Sequence, residues 1–333
     1  MSNSQSNFEM LKHKRISFSS LMNTQVLVFI VIIVLWIYLS IASPYFFTLH
    51  NIRGIFSQDA IVGVLGVGQL FTIITAGIDL SVGTVAELTN IIFTLAILAN
   101  IPIFLAIILS VGIATGFGLV NGILIYELNM PPFIVTLGTM SVADGIALLL
   151  SGGTNISGLP ISISNFGTGN FLGLPNLFWI LIIAVIVGEI ILRYTKFGRY
   201  VYAIGSNVEA ARLSGVNVRR TIYLVYTFSG FLAGIGGIMI TARLWMGIPT
   251  SGLNLNLDSI AAAAIGGASL FGAQGSSIGT FLGSIVMATI LNGTVLININ
   301  TFWQEIITGL LIVATVALDQ IRTRSKYTYV RKI

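Results

Sequence analysis

Ten stretches of this chain are long, apolar and nearly free of charge, and together they take up most of its length. They cover residues 26–43, 59–77, 82–99, 102–125, 132–151, 176–192, 221–241, 257–271, 275–297 and 302–320. About 20 apolar residues in a helix cross the hydrocarbon core of a bilayer, so runs of this kind read as membrane spans. The expected fold is all-α: a polytopic membrane protein of about ten transmembrane helices. The run at 257–271 is short and Gly-rich, which predicts a broken or re-entrant element. Composition points the same way. Only 8% of residues are charged, against about 25% in a soluble domain, and the 36 glycines suit closely packed transmembrane helices. The first apolar run is too long for a cleavable signal peptide and lacks a small-residue cleavage site.

The basic residues predict the topology. Of 16 Lys and Arg, three lie at 12–15, six at 193–220 and five at 322–332; Arg53 and Arg243 are the other two. The positive-inside rule places these three clusters in the cytoplasm. Six spans separate the first two clusters and four the last two, so the parity is consistent. The expected organisation is a cytoplasmic tail at 1–25, one transmembrane domain at 26–320 and a second cytoplasmic tail at 321–333. Within that domain, 193–220 forms a cytoplasmic loop, and the polar, almost uncharged 152–175 forms an external one. The net charge of +5 is explained by topology and does not suggest nucleic acid.

Several chemistries are excluded. The chain has no Cys, and its two His are His13 and His50. It therefore has no disulfide, no thiol nucleophile and no plausible metal or His acid–base centre. There is no Gly-x-x-x-x-Gly-Lys-Ser/Thr motif for ATP, no His-Glu-x-x-His and no Gly-x-Ser-x-Gly. No catalytic residue, metal ligand or cofactor site is expected.

Polar residues inside apolar runs are the candidates for function. Asp79, in GIDLSVGT at 77–84, has two readings: Asp79 or Ser81 caps the following helix, or the carboxylate gates or lines a pathway. Glu87 follows Asp79 by about two helical turns, so one face could carry both. Asn90, Asn121 and Asn292 suit a sugar, whose hydroxyls both donate and accept, and also suit hydrogen bonds between helices. Asp144 and Asp258 fall near outer ends of spans. The aromatic clusters at Trp36–Phe47 and Phe302–Trp303 read as interfacial belts. The Gly-rich segments 77–84 and 272–280 interrupt paired apolar runs, one in each half, a loose similarity that points to a transport pathway.

The long polar interruption at 198–218, GRYVYAIGSNVEAARLSGVNV, carries a short-helix signature. Ser206 or Asn207 can cap its start, and Ser206-x-x-Glu209 has capping-box spacing. Glu209 and Arg212 can pair, and Gly215 fits the left-handed position that ends a helix. Ala210, Ala211 and Ser214 offer a small face. A helix of about two turns is unstable alone in water, so it needs something to pack on.

With these segments in view, the chain resembles the permease subunits of ribose-type (simple sugar) ABC importers. GIDLSVGT at 77–84, PPFIVTLGTMSVADGIALLLSGG at 131–153, the 198–218 segment, LDSIAAAAIGGASLFGAQGS at 257–276 and FWQEIITGLLIVATVALD at 302–319 carry the resemblance. Family members often have a basic residue in the loop after SLFG; here Ala273-Gln274 stands there. The resemblance implies a type II ABC importer-like permease in the bacterial inner membrane, pairing with a second permease chain as a homodimer. It implies a cytoplasmic ATPase subunit, which uses the ATP, and an extracytoplasmic sugar-binding protein. The family's coupling helix falls on Asn207, Glu209, Ala210, Ala211, Arg212, Leu213, Ser214 and Gly215. Competing readings are the same fold importing a branched-chain amino acid or a sugar-like signal, and an ion-coupled secondary transporter.

Overall fold

The computed structural model describes residues 18–300 and 302–330. The basic cluster at 12–15 and the last residues of the chain lie outside the described residues. The described chain is helical apart from one two-stranded hairpin, Asn170–Phe171 with Leu174–Pro175 (β1 and β2). In order the helices are α1 Phe18–Ala42, α2 Leu49–Ile74, α3 Val82–Leu98, α4 Ile103–Glu127, α5 Pro132–Ser151, α6 Ile161–Thr168, α7 Asn176–Tyr194, α8 Lys196–Ser206, α9 Val208–Leu213, α10 Val218–Leu244, α11 Leu255–Ile265, α12 Ser277–Leu296 and α13 Phe302–Val330. Each of the ten expected runs falls on one helix. Seven are long and apolar enough to cross a membrane, namely α1 from Thr24, α2, α4, α5, α7, α10 and α12. The apolar parts of α3, α11 and α13 are shorter.

Helix α2 is the central post. Its apolar window is 89% buried, and it packs on α7, α10, α11 and α12. It starts at Leu49, well before residue 59, because Thr48 caps it by accepting from Asn51 N (3.3 Å). The helix thus includes the polar stretch at 50–59, which precedes and opens the apolar run.

The tightest seam joins α4 to α10. Ala114, Gly118 and Gly122 recur every four residues on one face of α4. They meet Tyr223, Tyr226, Gly230 and Gly234 of α10 backbone to backbone, and a Cβ on Gly230 would stand 2.5 Å from the Ala114 carbonyl. In lipid there is little hydrophobic drive between helices, so close backbone approach at small residues supplies the van der Waals attraction. A second seam joins α11 to α12, with Gly266 and Ala262 against Gly279 and Gly283. Helix α11 has 11 residues and is followed by a loop at 266–276, as expected of a broken element.

The 152–175 loop is folded. It contains α6 and the hairpin, and it is tied to the end of α10 through the Ile156–Gly247 bridge and a bond from Trp245 Nε1 to the Leu159 carbonyl (2.9 Å). At the other end of α10, Arg219 pairs with Glu127 of α4 (2.6 Å).

Candidate functional site

The segment read as one short helix is two. Thr195 caps α8 by accepting from Gly198 N (3.1 Å). Asn207 then turns the chain in extended conformation (φ −163°) and caps α9, its Oδ1 accepting from Ala210 N (2.9 Å). Ser206 closes α8, so Glu209 occupies the second helical position and the capping box does not form. Gly215 has φ +83°, the left-handed conformation that ends α9. Glu209 and Arg212 pair at 3.1 Å with both side chains mostly in solvent. Of the small face, only Ala211 points inward, against Ile204 and Val218. Ala210 and Ser214 are exposed, and Leu213 is 88% exposed.

Helix α8 reaches inward to the end of α2 and to the Gly-rich 266–276 loop. Gly205 lies against the Ile74 carbonyl at the end of α2 and against Ala273 N of the 266–276 loop. Ala273 N donates to that same Ile74 carbonyl (2.9 Å). Tyr202 Oη donates to the Gly275 carbonyl (2.8 Å). The end of α2, just before the 77–84 segment, thus meets the 266–276 loop, with α8 wedged beside them. Gly205 must be glycine, because any Cβ there would overlap the Ile74 carbonyl. Further bonds hold the loop: Ser269 Oγ donates to Asp319 Oδ2 of α13 (2.7 Å) and Gln25 Nε2 to Ser276 Oγ (2.8 Å).

Among the polar candidates, Asp79, Ser81 and Asn121 come together. Asp79 Oδ1 accepts from Ser81 N (3.0 Å) and Ser81 Oγ (2.6 Å), and Oδ2 accepts from Ser229 Oγ of α10 (2.8 Å). Asn121 Nδ2 donates to Ser81 Oγ (3.0 Å). The Gln69 amide, oriented to satisfy both groups, donates to Asp79 O (2.9 Å) and accepts from Asp79 N (3.1 Å). The carboxylate is buried, and every bond it accepts comes from a neutral donor. Glu87 and Asn90 stand apart from it on α3. Glu87 Oε2 accepts from Gly252 N (2.9 Å). Asn90 donates to Thr241 Oγ1 (2.8 Å) and accepts from Ile248 N (2.7 Å), so its amide fastens α3 to the end of α10. Asn292 likewise pairs with Asn51 (2.8 Å).

This geometry gives an expectation for Asp79. Asn in its place keeps one acceptor for Ser81 and a donor for Ser229, so Asp79→Asn should keep uptake within threefold of wild type. Leu should strand buried donors, at about 1–3 kcal/mol each, and lose uptake more than tenfold. Uptake and folded yield of both variants check this. A well-folded Asn variant without uptake would show that the charge itself is used.

At the far end of the bundle, about 24 Å along α2 from Ile74 at 1.5 Å per residue, two cavities of ≈ 400 and ≈ 190 Å³ share Gln58 and Asp258. The larger is also lined by Asn254, Gln304 and Glu305, the smaller by Arg243 and Ser251. Of the polar candidates Asp258 lines both cavities, whereas Asp79, Ser81, Glu87, Asn90 and Asn121 line neither. Gln58 and Gln304 were missed because a single amide next to an apolar run carries no periodic signal. Among the described residues no cluster of His, Asp or Glu is arranged to hold a metal.

The family model described as branched-chain amino acid transport system / permease component matches residues 51–316. The ribose import permease protein of Haemophilus influenzae is 37% identical to this chain over 295 residues, covering 87% of this chain and 91% of its own. The ribose import permease protein of Bacillus subtilis is 37% identical, covering 93% and 96%. The D-allose transport system permease protein of Escherichia coli is 36% identical, covering 88% and 90%. No solved structure matches.

Proposed function

The chain belongs to the branched-chain amino acid transport system / permease component family, and on that footing we propose that it forms the membrane pore of an ATP-driven importer of a simple sugar, ribose or a similar monosaccharide. It is a multi-pass transport component and not an enzyme, as are its relatives. The family description names amino acids, but three relatives aligned over nearly their whole length carry sugar names. That full-length likeness to sugar permeases is the observation that carries the reading.

The finer features follow from it. All ten apolar helices span or enter the membrane, the short α3, α11 and the apolar part of α13 among them. The basic clusters set α8 and α9 in the cytoplasm and the Gln58–Asp258 cavities on the outer side. A second copy of the chain completes the pore, an ATPase subunit covers α9, and a sugar-binding protein docks on the outer face. Helices α8 and α9 are the ATPase-coupling segment, supported by the exposed Leu213 and by the contacts of α8 with the end of α2 and the Gly-rich 266–276 loop. Asp79, Ser81 and Asn121 stabilise the turn into α3.

The test is ATP hydrolysis by the purified complex with its binding protein, across a panel of pentoses, hexoses and branched-chain amino acids. Stimulation by one or a few monosaccharides is expected. Stimulation by leucine or valine alone would overturn the sugar assignment.

A further inference from the structure

Glu189 is a carboxylate in the apolar run of α7. It is 8% exposed. Oε2 accepts from Ser277 N (2.8 Å) and Ile278 N (3.4 Å), the first amides of α12. A helix start offers unpaired N–H groups and positive potential, which a carboxylate satisfies. The other oxygen pairs with Arg193 one turn further along α7. The helix therefore already has its own cap, Ser276, accepting from Gly279 N (3.0 Å), and Glu189 adds an anchor from another element.

The anchor is part of a closed circuit. Gly188 lets α7 approach α12, since a Cβ there would meet Ser277 Oγ at 2.7 Å. Tyr202 of α8 donates to Gly275, two residues before Ser277. Burial, and then the nearby Glu189 charge, push the Tyr202 phenol up to about 12, so its hydroxyl stays protonated and a donor. Gly198 packs the start of α8 against the Ile191 and Leu192 carbonyls of α7. The end of α7, α8, and the junction between the 266–276 loop and α12 are thus joined by three hydrogen bonds and two glycine contacts, and the Arg193 ion pair within α7 holds the Glu189 carboxylate in place.

We infer that Glu189 is a positioning residue that locks the start of α12 to the α7–α8 corner, so that displacement of α9 and α8 is delivered to the broken helix pair α11–α12. This deepens the proposed function and rests on its ATP-driven reading. Without Glu189, the start of α12 would lose its tie to α7, the α7–α8 corner would shift without carrying α12, and hydrolysis would proceed without transport.

The experiment uses the full complex in proteoliposomes, with the wild type, Glu189→Ala, Glu189→Gln and Tyr202→Phe. It reads basal ATP hydrolysis, hydrolysis stimulated by loaded binding protein, and sugar molecules imported per ATP. Wild type tests the proposed function by itself: no stimulated hydrolysis and no import there would fail that reading, whatever the variants do. Given a working wild type, Glu189→Ala should assemble, keep basal hydrolysis within twofold and lose at least tenfold in sugar per ATP. Glu189→Gln keeps an acceptor for Ser277 N and should stay within threefold, and Tyr202→Phe should fall between the two. A role confined to stability would lower yield without changing sugar per ATP. An unchanged ratio in Glu189→Ala overturns the inference, and so does failure of Glu189→Gln to assemble or to retain the ratio.

Discussion

Replacing Leu213 by Asp should weaken association of the ATPase subunit about thirtyfold, the equivalent of about 2 kcal/mol for a central apolar contact. The side chain is 88% exposed in the single chain, so the substitution removes no internal packing and fold stability should hold. Arg212→Glu gives a second view of the same surface. The Glu209–Arg212 pair is solvent-exposed and adds less than about 1 kcal/mol to stability. Lost coupling in that variant would therefore come from the partner surface. Co-purification of the ATPase and sugar-stimulated hydrolysis measure both. Wild-type association and coupling in Leu213→Asp and Arg212→Glu would show that α9 is not the contact.

Gly118→Val should remove most folded protein. A Cβ at Gly118 would overlap the Tyr226 carbonyl and stand 3.1 Å from Gly230 Cα. These are backbone atoms at the centre of the α4–α10 seam and cannot rotate away. Overpacking a seated core typically costs about 1–3 kcal/mol, and here the backbone itself must separate. Gly112 lies on the same helix with nothing within 4 Å of its Cβ position, so Gly112→Val should be recovered like wild type. Monodispersity and thermal midpoint in mild detergent compare the two. Equal stability would mean that the seam does not hold the bundle.

What the sequence made legible was local. Apolar runs marked ten of the thirteen described helices because a buried or lipid-facing helix needs a sustained apolar stretch, and Asn207 and Gly215 marked α9 because caps act within one turn. Helix α8 escaped notice because tertiary contacts hold it: Gly198 and Gly205 fit against carbonyls of α7 and α2, and nothing in the segment announces those partners. The start of α2 was misplaced because polar residues at 50–59 hide a helix whose cap is Thr48. The capping box failed because Asn207 outcompeted Ser206 for the cap. The candidate site was legible in part. Asp79, Ser81 and Asn121 do meet, as spacing within 77–84 could suggest only for the first two. Glu189 and Gln69 were invisible because each finds its partner far along the chain, at Ser277 and Asp79 respectively. The contact of Ile74, at the end of α2, with Ala273 of the 266–276 loop had no signal in the sequence, because only the packing of α2 beside α11 and α12 brings it about.

The central claim, ATP-driven import of a monosaccharide, is tested most directly by uptake of labelled ribose into proteoliposomes holding this chain with its ATPase and binding protein. Uptake should require ATP on the α9 side and the binding protein on the other. It should also survive collapse of proton and sodium gradients. Uptake that continues without ATP and stops when those gradients are dissipated would contradict the account and make the chain an ion-coupled transporter.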